Sequence, residues 1–509
     1  MAAEELYPHA DMTVYLRTCE EEILEPIKGE LTGTIPSWLN GTLVRNGSGA
    51  NQIGSDRFGH VFDGAALLHR FLIRDGHVTY NCRFLNSQTY RRNKSAQRIV
   101  ISEFGTKAVP DPCHTIFDRF TSYFNPFTRI SDNAAVSVYP FGDQMYALTE
   151  TPSACIHRID TETLETLEHK DISPSVLVHH TAHPHIMPNG DIYNVGFYFL
   201  KGMLKHIVVK FPYSKDEDMF SSAHIVGTMK PRWILNPSYM HSFGITENYF
   251  VIIEQPMSLS LLNSVVMYLN NDPYSTLINT FPNEDTHIVL VHRETGVEKR
   301  YRTDPLFFMH VINCYEAGGK VVVDLCSYKD GKLIDAMYTE AIETMQHNTE
   351  YADWVRSRPV RLEVELAAPD LSSAVYRTIA DVGCELPRIN YERCNGKPYK
   401  YFYAVATDVD DEYTGSLIKV NVDTGEVTRW FEKKSYPSEP IFVASPDAKE
   451  EDDGVILSAV LQGKDKNCVQ LLVLDAGNME ELARVAFATP SQATRCFHGW
   501  FLPDNLSAS

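Results

Sequence analysis

The sequence predicts an all-β protein built from repeated hairpins, and two features of the 509-residue chain carry that expectation. Short runs rich in Val, Ile, Tyr and Phe recur between turn residues: 192–199, 249–254, 288–292, 320–325, 417–421 and 470–475. β-branched and aromatic side chains suit a pleated, half-buried surface, and this spacing suits a sandwich, a barrel or a propeller. Four segments also share one grammar of apolar strand, acidic turn and second strand. They are HRIDTETLETLE from His157, LVHRETGVEKRY from Leu290, IKVNVDTGEVTRW from Ile418 and LLVLDAGNMEELARV from Leu471. Their turns supply the Asp, Thr and Gly that hairpins need. Hairpins repeated in this way resemble propeller blades, although unrelated hairpins in a large β protein would show the same grammar.

Helical signals are fewer. Residues 335–355 (DAMYTEAIETMQHNTEYADWV) read as one amphipathic helix. Residues 257–270 (MSLSLLNSVVMYLN) are apolar on nearly all sides, the pattern of a buried helix or of one lying in a membrane interface. No Pro- or Gly-rich linker divides the chain, so residues 1–509 read as one domain with insertions.

Hydrophobic residues make up 44% and charged residues 22% of the chain, the balance of a soluble globular protein. The net charge of −20 repels phosphate backbones, so nucleic acid is not an expected partner. Anionic lipid is repelled too, which leaves apolar or local membrane contact. The N-terminal MAAEELYPHADM lacks the basic and apolar regions of a signal peptide, and no apolar run reaches a membrane-spanning length. The expected compartment is the cytosol. The ten cysteines form no Cys-x-x-Cys pair, which removes support for a zinc finger or thioredoxin-like site. Reduced thiols are expected there.

The histidines are the chemical signal. His179, His180, His183 and His185 cluster ahead of the strand DIYNVGFYF. Neutral imidazole is the commonest metal ligand, but a His-rich polar loop would look the same. His241 (PSYMHSFG), His310 (PLFFMHVINCYE) and His498 (TRCFHGWFLP) stand among Phe, Met and Trp. Desolvation there keeps imidazole neutral, as a metal requires, and each of the three taken singly also fits a satisfied core histidine. No His-Glu-x-x-His helix is present. Ligands this far apart in sequence converge only where distant strands meet, as on a propeller axis. A metal-bound imidazole donates its other N–H to a carboxylate or carbonyl. Glu150 (YALTE), Glu385 (CELPRINY) and Glu439 (SYPSEPIFV) sit in apolar or Pro-bounded stretches where an unpaired charge is expensive, and surface turns remain the plainer account, above all for Glu439.

RNGSGANQIGSDRFGHVFDGAALLHRF (45–71), ISEFGTKAVPDPC (101–113), TAHPHIMPNGDIYNVG (181–196), PSYMHSFG (237–244), FFMHVINCYE (307–316), LPRINYERCNGKPYKYFYA (386–404), SYPSEPIFV (435–443), EEDDGVILS (450–458) and FHGWF (497–501) together resemble the carotenoid cleavage oxygenases, from about residue 15 to residue 503. The resemblance implies a seven-bladed β-propeller with a helical cap over one face. It implies Fe(II) on the axis, held by His183, His241, His310 and His498, with Glu150, Glu385 and Glu439 orienting three of the imidazoles. Such a site departs from the two-His, one-carboxylate pattern of many iron(II) oxygenases. Metal identity rests on the resemblance, because imidazole suits zinc, copper and nickel as well.

The implied reaction is insertion of dioxygen across the central double bond of a carotenoid, giving two retinal-type aldehydes. Insect members of the family also isomerise one product to the 11-cis form. Motif matching places Phe104, Thr149, Tyr239 and Phe497 on the substrate tunnel, where core packing is the alternative role. A water-insoluble substrate arrives from a bilayer, so a monotopic contact with intracellular membranes is expected. Residues 110–127 match the family's membrane-facing segment, with Cys113 at a position lipidated in some relatives and Phe117, Phe120, Phe124 and Phe127 on one side. Residues 197–208 and 257–270 are further apolar patches. Three rival readings remain: a retinoid isomerohydrolase acting on retinyl esters, a non-catalytic carotenoid-binding propeller, and a zinc hydrolase.

Overall fold

Seven sheets, antiparallel except where Ser372–Ser373 pairs parallel with Glu298–Thr303, surround one axis in the computed structural model, which describes residues 5–113, 129–151, 155–172, 179–200, 203–215 and 217–504. Counted from the N-terminus, blade 1 is Ile23–Lys28, His77–Phe84, Ala65–Arg74 and Gly41–Ala50, with His498–Pro503 as its innermost strand. Blade 2 is Ser137–Phe141, Gln144–Leu148, Cys155–Ile159 and Thr166–Asp171. Blade 3 runs outward from His179–His180 and His185–Ile186 through Ile192–Leu200 and Met203–Phe211 to His224–Met229. Blade 4 starts at Gly244–Ile245, blade 5 at Phe307–Ala317 and blade 6 at Glu385–Arg388. Blade 7 starts at Ser435–Pro437 and Ile441–Ala444 and takes Glu30–Gly33 as its outermost strand. The expected seven-bladed propeller is therefore present.

The repeated grammar occupies one structural position. All four segments form the outer hairpin of a blade, in blades 2, 4, 6 and 7. Their turns are the same. The N–H groups of Leu164, Gly296, Gly425 and Met479 donate to the carbonyls of Asp160, His292, Asn421 and Asp475, at 2.8–2.9 Å. Each donor holds a positive φ between 59° and 75°, which suits Gly296 and Gly425 and is uncommon for leucine and methionine.

The ring closes with both chain ends. His498–Pro503 pairs with Gly41–Ala50, while Glu30–Gly33 pairs with Glu481–Ala488. Gly47 permits the approach, since a Cβ there would lie 2.4 Å from the Arg495 carbonyl and 2.7 Å from Cys496 Cα. Apolar side chains fill the spaces between blades. Leu43, Phe71, Tyr80, Leu471 and Phe487 pack between blades 7 and 1, and Val251, Leu290, Phe308 and Val323 between blades 4 and 5.

Over one face lie the N-terminal turn Met12–Leu16 and short helices, packed through Met309, Tyr328, Leu333, Ile334, Met345 and Tyr351. The single helix expected over 335–355 is instead four pieces: Lys332–Ala336, Thr339–Thr344, Met345–His347 and Tyr351–Val355. Contacts elsewhere break it. Thr339 N–H donates to the Gly59 carbonyl and Tyr338 bridges His60, which holds the chain at the break. Residues 257–270 split as well: Met257–Leu259 pairs with Ile278–Thr280, and only Leu261–Asn270 is helical. Ser260 caps that helix by accepting from Asn263 N–H, and Asn271 ends it in a left-handed conformation. None of its residues is buried, so the buried-helix reading is corrected. The apolar patch at 197–208 lies in blade 3, where Leu204, Ile207 and Val208 face the core and Met203 is exposed.

Candidate metal centre

Four histidines from four blades meet on the axis. His183 comes from blade 3, His241 from the turn entering blade 4, His310 from blade 5 and His498 from blade 1. Their Nε2 atoms form a chain of close neighbours: 3.0 Å from His183 to His241, 3.2 Å from His241 to His310 and 3.3 Å from His310 to His498. The other three clustered histidines of the sequence do not join them.

Breaks in the inner strands aim these side chains. In blade 3, His180 pairs with Gly196 and His185 with Tyr193. Four residues, 181–184, therefore oppose two, 194–195, and His183 lies in the excess. In blade 5 the register slips between Phe308 and Val311 and again before Asn313, and His310 sits inside the first slip. In blade 7, Pro437 pairs with Val460 and Ile441 with Leu457, so three residues including Glu439 oppose two. In blade 6 the register shifts after Glu385, where Leu386 takes φ 55°. Extra residues of this kind bend a strand and re-aim side chains.

Each of three imidazoles has its outer nitrogen on a carboxylate. His241 Nδ1 is 2.7 Å from Glu150 Oε1, His310 Nδ1 2.5 Å from Glu385 Oε2, and His498 Nδ1 2.8 Å from Glu439 Oε1. The carboxylates are held in turn. Tyr239 Oη–H donates to Glu150 Oε2 at 3.0 Å and Tyr328 Oη–H to Glu385 Oε1 at 2.9 Å. Arg388 Nε–H and Gly499 N–H donate to Glu439, at 2.7 and 3.0 Å. His183 differs, with Nδ1 3.4 Å from Tyr139 Oη.

This geometry fits a metal. A carboxylate on Nδ1 keeps the proton there and turns the Nε2 lone pair inward. Lone pairs roughly 3 Å apart repel unless a cation lies between them. At a metal–imidazole distance of roughly 2.1 Å, ligands at right angles are roughly 3.0 Å apart and tetrahedral ones roughly 3.4 Å, which brackets the observed spacings. Protonation is resisted as well. Burial holds His183 well below the usual imidazole range, reinforced by the other three histidines. Burial brings His498 down to about 4 against the pull of Glu439. Burial alone would raise Glu439, but Arg388, His498 and Arg45 outweigh it and keep the carboxyl ionised.

The histidines separate two cavities. A cavity of about 270 Å³ lies under the cap, and His241, His310 and His498 form part of its floor. Phe104, Thr149, Tyr239 and Phe497, the tunnel candidates, all stand on its wall, with Phe62 6.1 Å from Phe497 between ring centres. Polar side chains interrupt the apolar lining, among them Asp11, Glu103, Asn133 and Arg495. Burial, with Asp63 and Asp132 nearby, drives the Glu103 carboxyl well up. On the other side of the histidines a cavity of about 80 Å³ is lined by His183, His185, Arg388 and Tyr391.

Sequence reasoning missed the supports beyond the carboxylates. Arg45, fully buried, donates to the Glu439 and Phe497 carbonyls at 2.9 and 3.1 Å. Arg388, Tyr139 and Tyr328 were missed too. An arginine inside the otherwise uncharged run LVRNGSGA was the one available signal. Of the membrane-facing candidates, Cys113 is exposed, while Phe117, Phe120, Phe124 and Phe127 lie outside the described residues.

Fold and site together define a propeller with an all-histidine metal centre beneath a capped apolar cavity. The chain belongs to the carotenoid oxygenase family, here the retinal pigment epithelial membrane protein family, whose model matches residues 16–503. It is 58% identical over 505 residues to a carotenoid isomerooxygenase of Galleria mellonella, with 98% of each chain covered. It is 41% identical over 590 residues to the carotenoid isomerooxygenase of Drosophila melanogaster, covering 98% of this chain and 94% of that one. A β,β-carotene 15,15'-dioxygenase of Gallus gallus is 38% identical over 527 residues, covering 97% and 98%. Among solved structures, a cobalt-substituted apocarotenoid oxygenase of Synechocystis superposes with a TM-score of 0.79 at 22% identity, covering 98% of this chain and 100% of that one.

Proposed function

We propose that this protein is an iron(II) dioxygenase that cleaves a carotenoid at its central double bond and isomerises one half to the 11-cis aldehyde. The convergence of four imidazole Nε2 atoms on the floor of a capped, mainly apolar cavity carries this reading. The names of the insect and vertebrate relatives support the substrate class and the pairing of cleavage with isomerisation. The reaction balances without a second reductant: one C=C bond and one O=O bond break, and each carbon receives one oxygen.

Bound iron(II) supplies dioxygen activation. The chain's own residues do the rest. His183, His241, His310 and His498 present four neutral ligands, and Glu150, Glu385 and Glu439 keep the Nδ1 protons and fix the rings. Phe104, Thr149, Tyr239 and Phe497 hold one stretch of polyene over the floor, so one double bond is presented. The mainly apolar wall admits a hydrocarbon, and its shape selects the product geometry.

The substrate reaches the cavity from a membrane leaflet. Helix Leu261–Asn270 exposes Leu262 (66%), Val265 (60%), Val266 (54%) and Leu269 (57%), and Ile234 and Leu235 extend this face. Leu259, Leu277 and Ile278, which flank the helix, line the cavity, so the apolar face leads inward. Among the described residues no helix is long and apolar enough to cross a membrane, in keeping with contact at one leaflet. The location that follows is the cytoplasmic side of intracellular membranes, with Cys113 available for lipidation. Mass spectrometry of the membrane-bound protein showing an unmodified Cys113 thiol rejects that last step.

The deciding experiment gives the iron-loaded protein a detergent-dispersed carotenoid with and without dioxygen and separates the aldehydes by geometry. Oxygen-dependent 11-cis and all-trans retinal-type products in equal amounts are expected. All-trans product alone removes the isomerase. Turnover of retinyl ester without oxygen replaces the reading with an isomerohydrolase.

A further inference from the structure

Blade 2 carries a second group of metal-ligating side chains, away from the axis. Cys155 and His157 are two residues apart on strand Cys155–Ile159, so they share one face. His169 pairs directly with His157 across the outer hairpin. Cys155 Sγ lies 3.2 Å from His169 Nδ1 and 3.1 Å from its Nε2. The two imidazoles stand edge to face, 5.0 Å between ring centres. One ligand atom from each of the three residues lies within 4.8 Å of the others. Asp132 reaches the group through His169, with Oδ2 3.5 Å from His169 Nδ1; its distance of 3.9 Å to His157 is to Nε2, the nitrogen on the side of the Asp132 carbonyl.

His157 points to a ligand independently. It is 1% exposed, and its Nε2 lies 2.9 Å from the Asp132 carbonyl, to which it donates. That fixes the lone pair on Nδ1, which is buried without a hydrogen-bond partner. A buried acceptor left unmatched is unfavourable. Among the described residues, the Cys155 thiol has only the Ile156 carbonyl, at 3.6 Å, as a further neighbour for its proton. Asp132 is already anchored, accepting from Gln88 and Thr89 N–H at 2.8 Å each. His169 is 52% exposed at its side chain and gives an ion a way in from solvent.

We propose that Cys155, His157, His169 and Asp132 form a second metal site, taking a borderline-soft divalent cation of the zinc type. One thiolate and one carboxylate neutralise a dication, and two neutral imidazoles complete four ligands. A thiolate disfavours magnesium and calcium, which prefer all-oxygen sites. On binding, the Cys155 S–H bond breaks, a sulfur–metal bond forms and the proton leaves to solvent, with no change of oxidation state. The role is structural. The ion ties the outer hairpin of blade 2 to residues 131–133, where Ser131 donates to Glu103 at 2.7 Å and Asn133 lines the cavity. The site shares no residue with the four-histidine centre.

Cobalt(II) titration of the iron-loaded protein tests this. The axial centre has no sulfur ligand, so a thiolate-to-cobalt absorption band in the near ultraviolet reports the outer site alone. The band should saturate at one equivalent, disappear on adding zinc and be absent from Cys155→Ser. His169→Gln, at an exposed position that spares the fold, should weaken cobalt binding by about tenfold or more. No band in the unaltered protein, or a band that survives in Cys155→Ser, overturns the proposal. So does a titration unchanged by His169→Gln.

Discussion

Glu439 shows how much one side chain carries at this centre. It accepts hydrogen bonds from His498, Arg388 and the Gly499 amide, and Arg45 lies 3.9 Å away. Glu439→Gln keeps the shape but removes the charge, so His498 loses its proton anchor and two guanidiniums lose their counter-ion. Metal affinity is expected to fall about 10- to 100-fold, which elemental analysis of protein purified at limiting iron checks. The conservative Arg388→Lys keeps the charge and loses the fork, so a smaller loss is expected. A second buried carboxylate, Glu254, gives a pH signature away from the metal. Burial alone would raise it, but His206 and Arg300 outweigh that and bring it down to about 2. A depressed carboxyl stabilises the fold above its unfolded value and loses that contribution as pH falls through its folded one. Acid unfolding followed by circular dichroism should therefore steepen between about pH 4.5 and 2, and Glu254→Gln should flatten that portion. An unchanged slope in the variant would sink this assignment.

At the scale of elements, legibility depended on what a residue pattern can encode. The outer hairpins were readable because Gly296 and Gly425 mark the left-handed position of their turns. Leu164 and Met479 hold that conformation without a glycine, so the equivalence of all four turns emerges only from the shared hydrogen bond. The number of blades was not readable from spacing, since four repeats do not count to seven and blades 1 and 7 each borrow strands from the far end of the chain. The candidate ligands were visible as histidines in apolar settings. The irregular register that aims His183, His310, Glu385 and Glu439 was not visible, because an extra residue in an inner strand leaves no compositional mark. Helix Leu261–Asn270 misled for a related reason: its apolar composition fits a core helix, and only its lack of buried residues separates the two. That exposure can be tested. Val265→Glu with Leu269→Glu should abolish sedimentation with neutral phosphatidylcholine vesicles and leave the thermal midpoint within about 2 °C, because exposed substitutions change stability by less than about 0.5 kcal/mol. Retained vesicle binding would remove this helix from the membrane face. Cleavage of detergent-dispersed substrate should persist in the same variant, which separates delivery from chemistry.

For the whole molecule, the axis is where distant parts of the chain become one structure. His183, His241, His310 and His498 span blades 3, 4, 5 and 1, and residue 498 stands on the strand that closes the ring. A cation among them therefore joins the closure strand to the middle of the chain, as Glu439 joins blade 7 to the same strand through His498. Binding that occurs only in the folded state stabilises that state by mass action, about 4 kcal/mol when free metal exceeds its dissociation constant a thousandfold. In a chain this large, with an enthalpy of unfolding proportional to length, such a gain moves the thermal midpoint by only a few degrees. The prediction is thus a modest but ligand-specific shift. Chelation should lower the midpoint by about 4 °C, and readdition of iron(II) under anaerobic conditions should restore it. The His310→Ala protein should start lower and recover nothing when iron(II) is added back after chelation. Scanning calorimetry at several metal concentrations separates this from a general salt effect, because the midpoint should climb with the logarithm of free metal in the unaltered chain alone. A flat response there would mean that the four imidazoles hold their positions through the glutamates and the blades without help from an ion, and that the metal serves chemistry and not the fold.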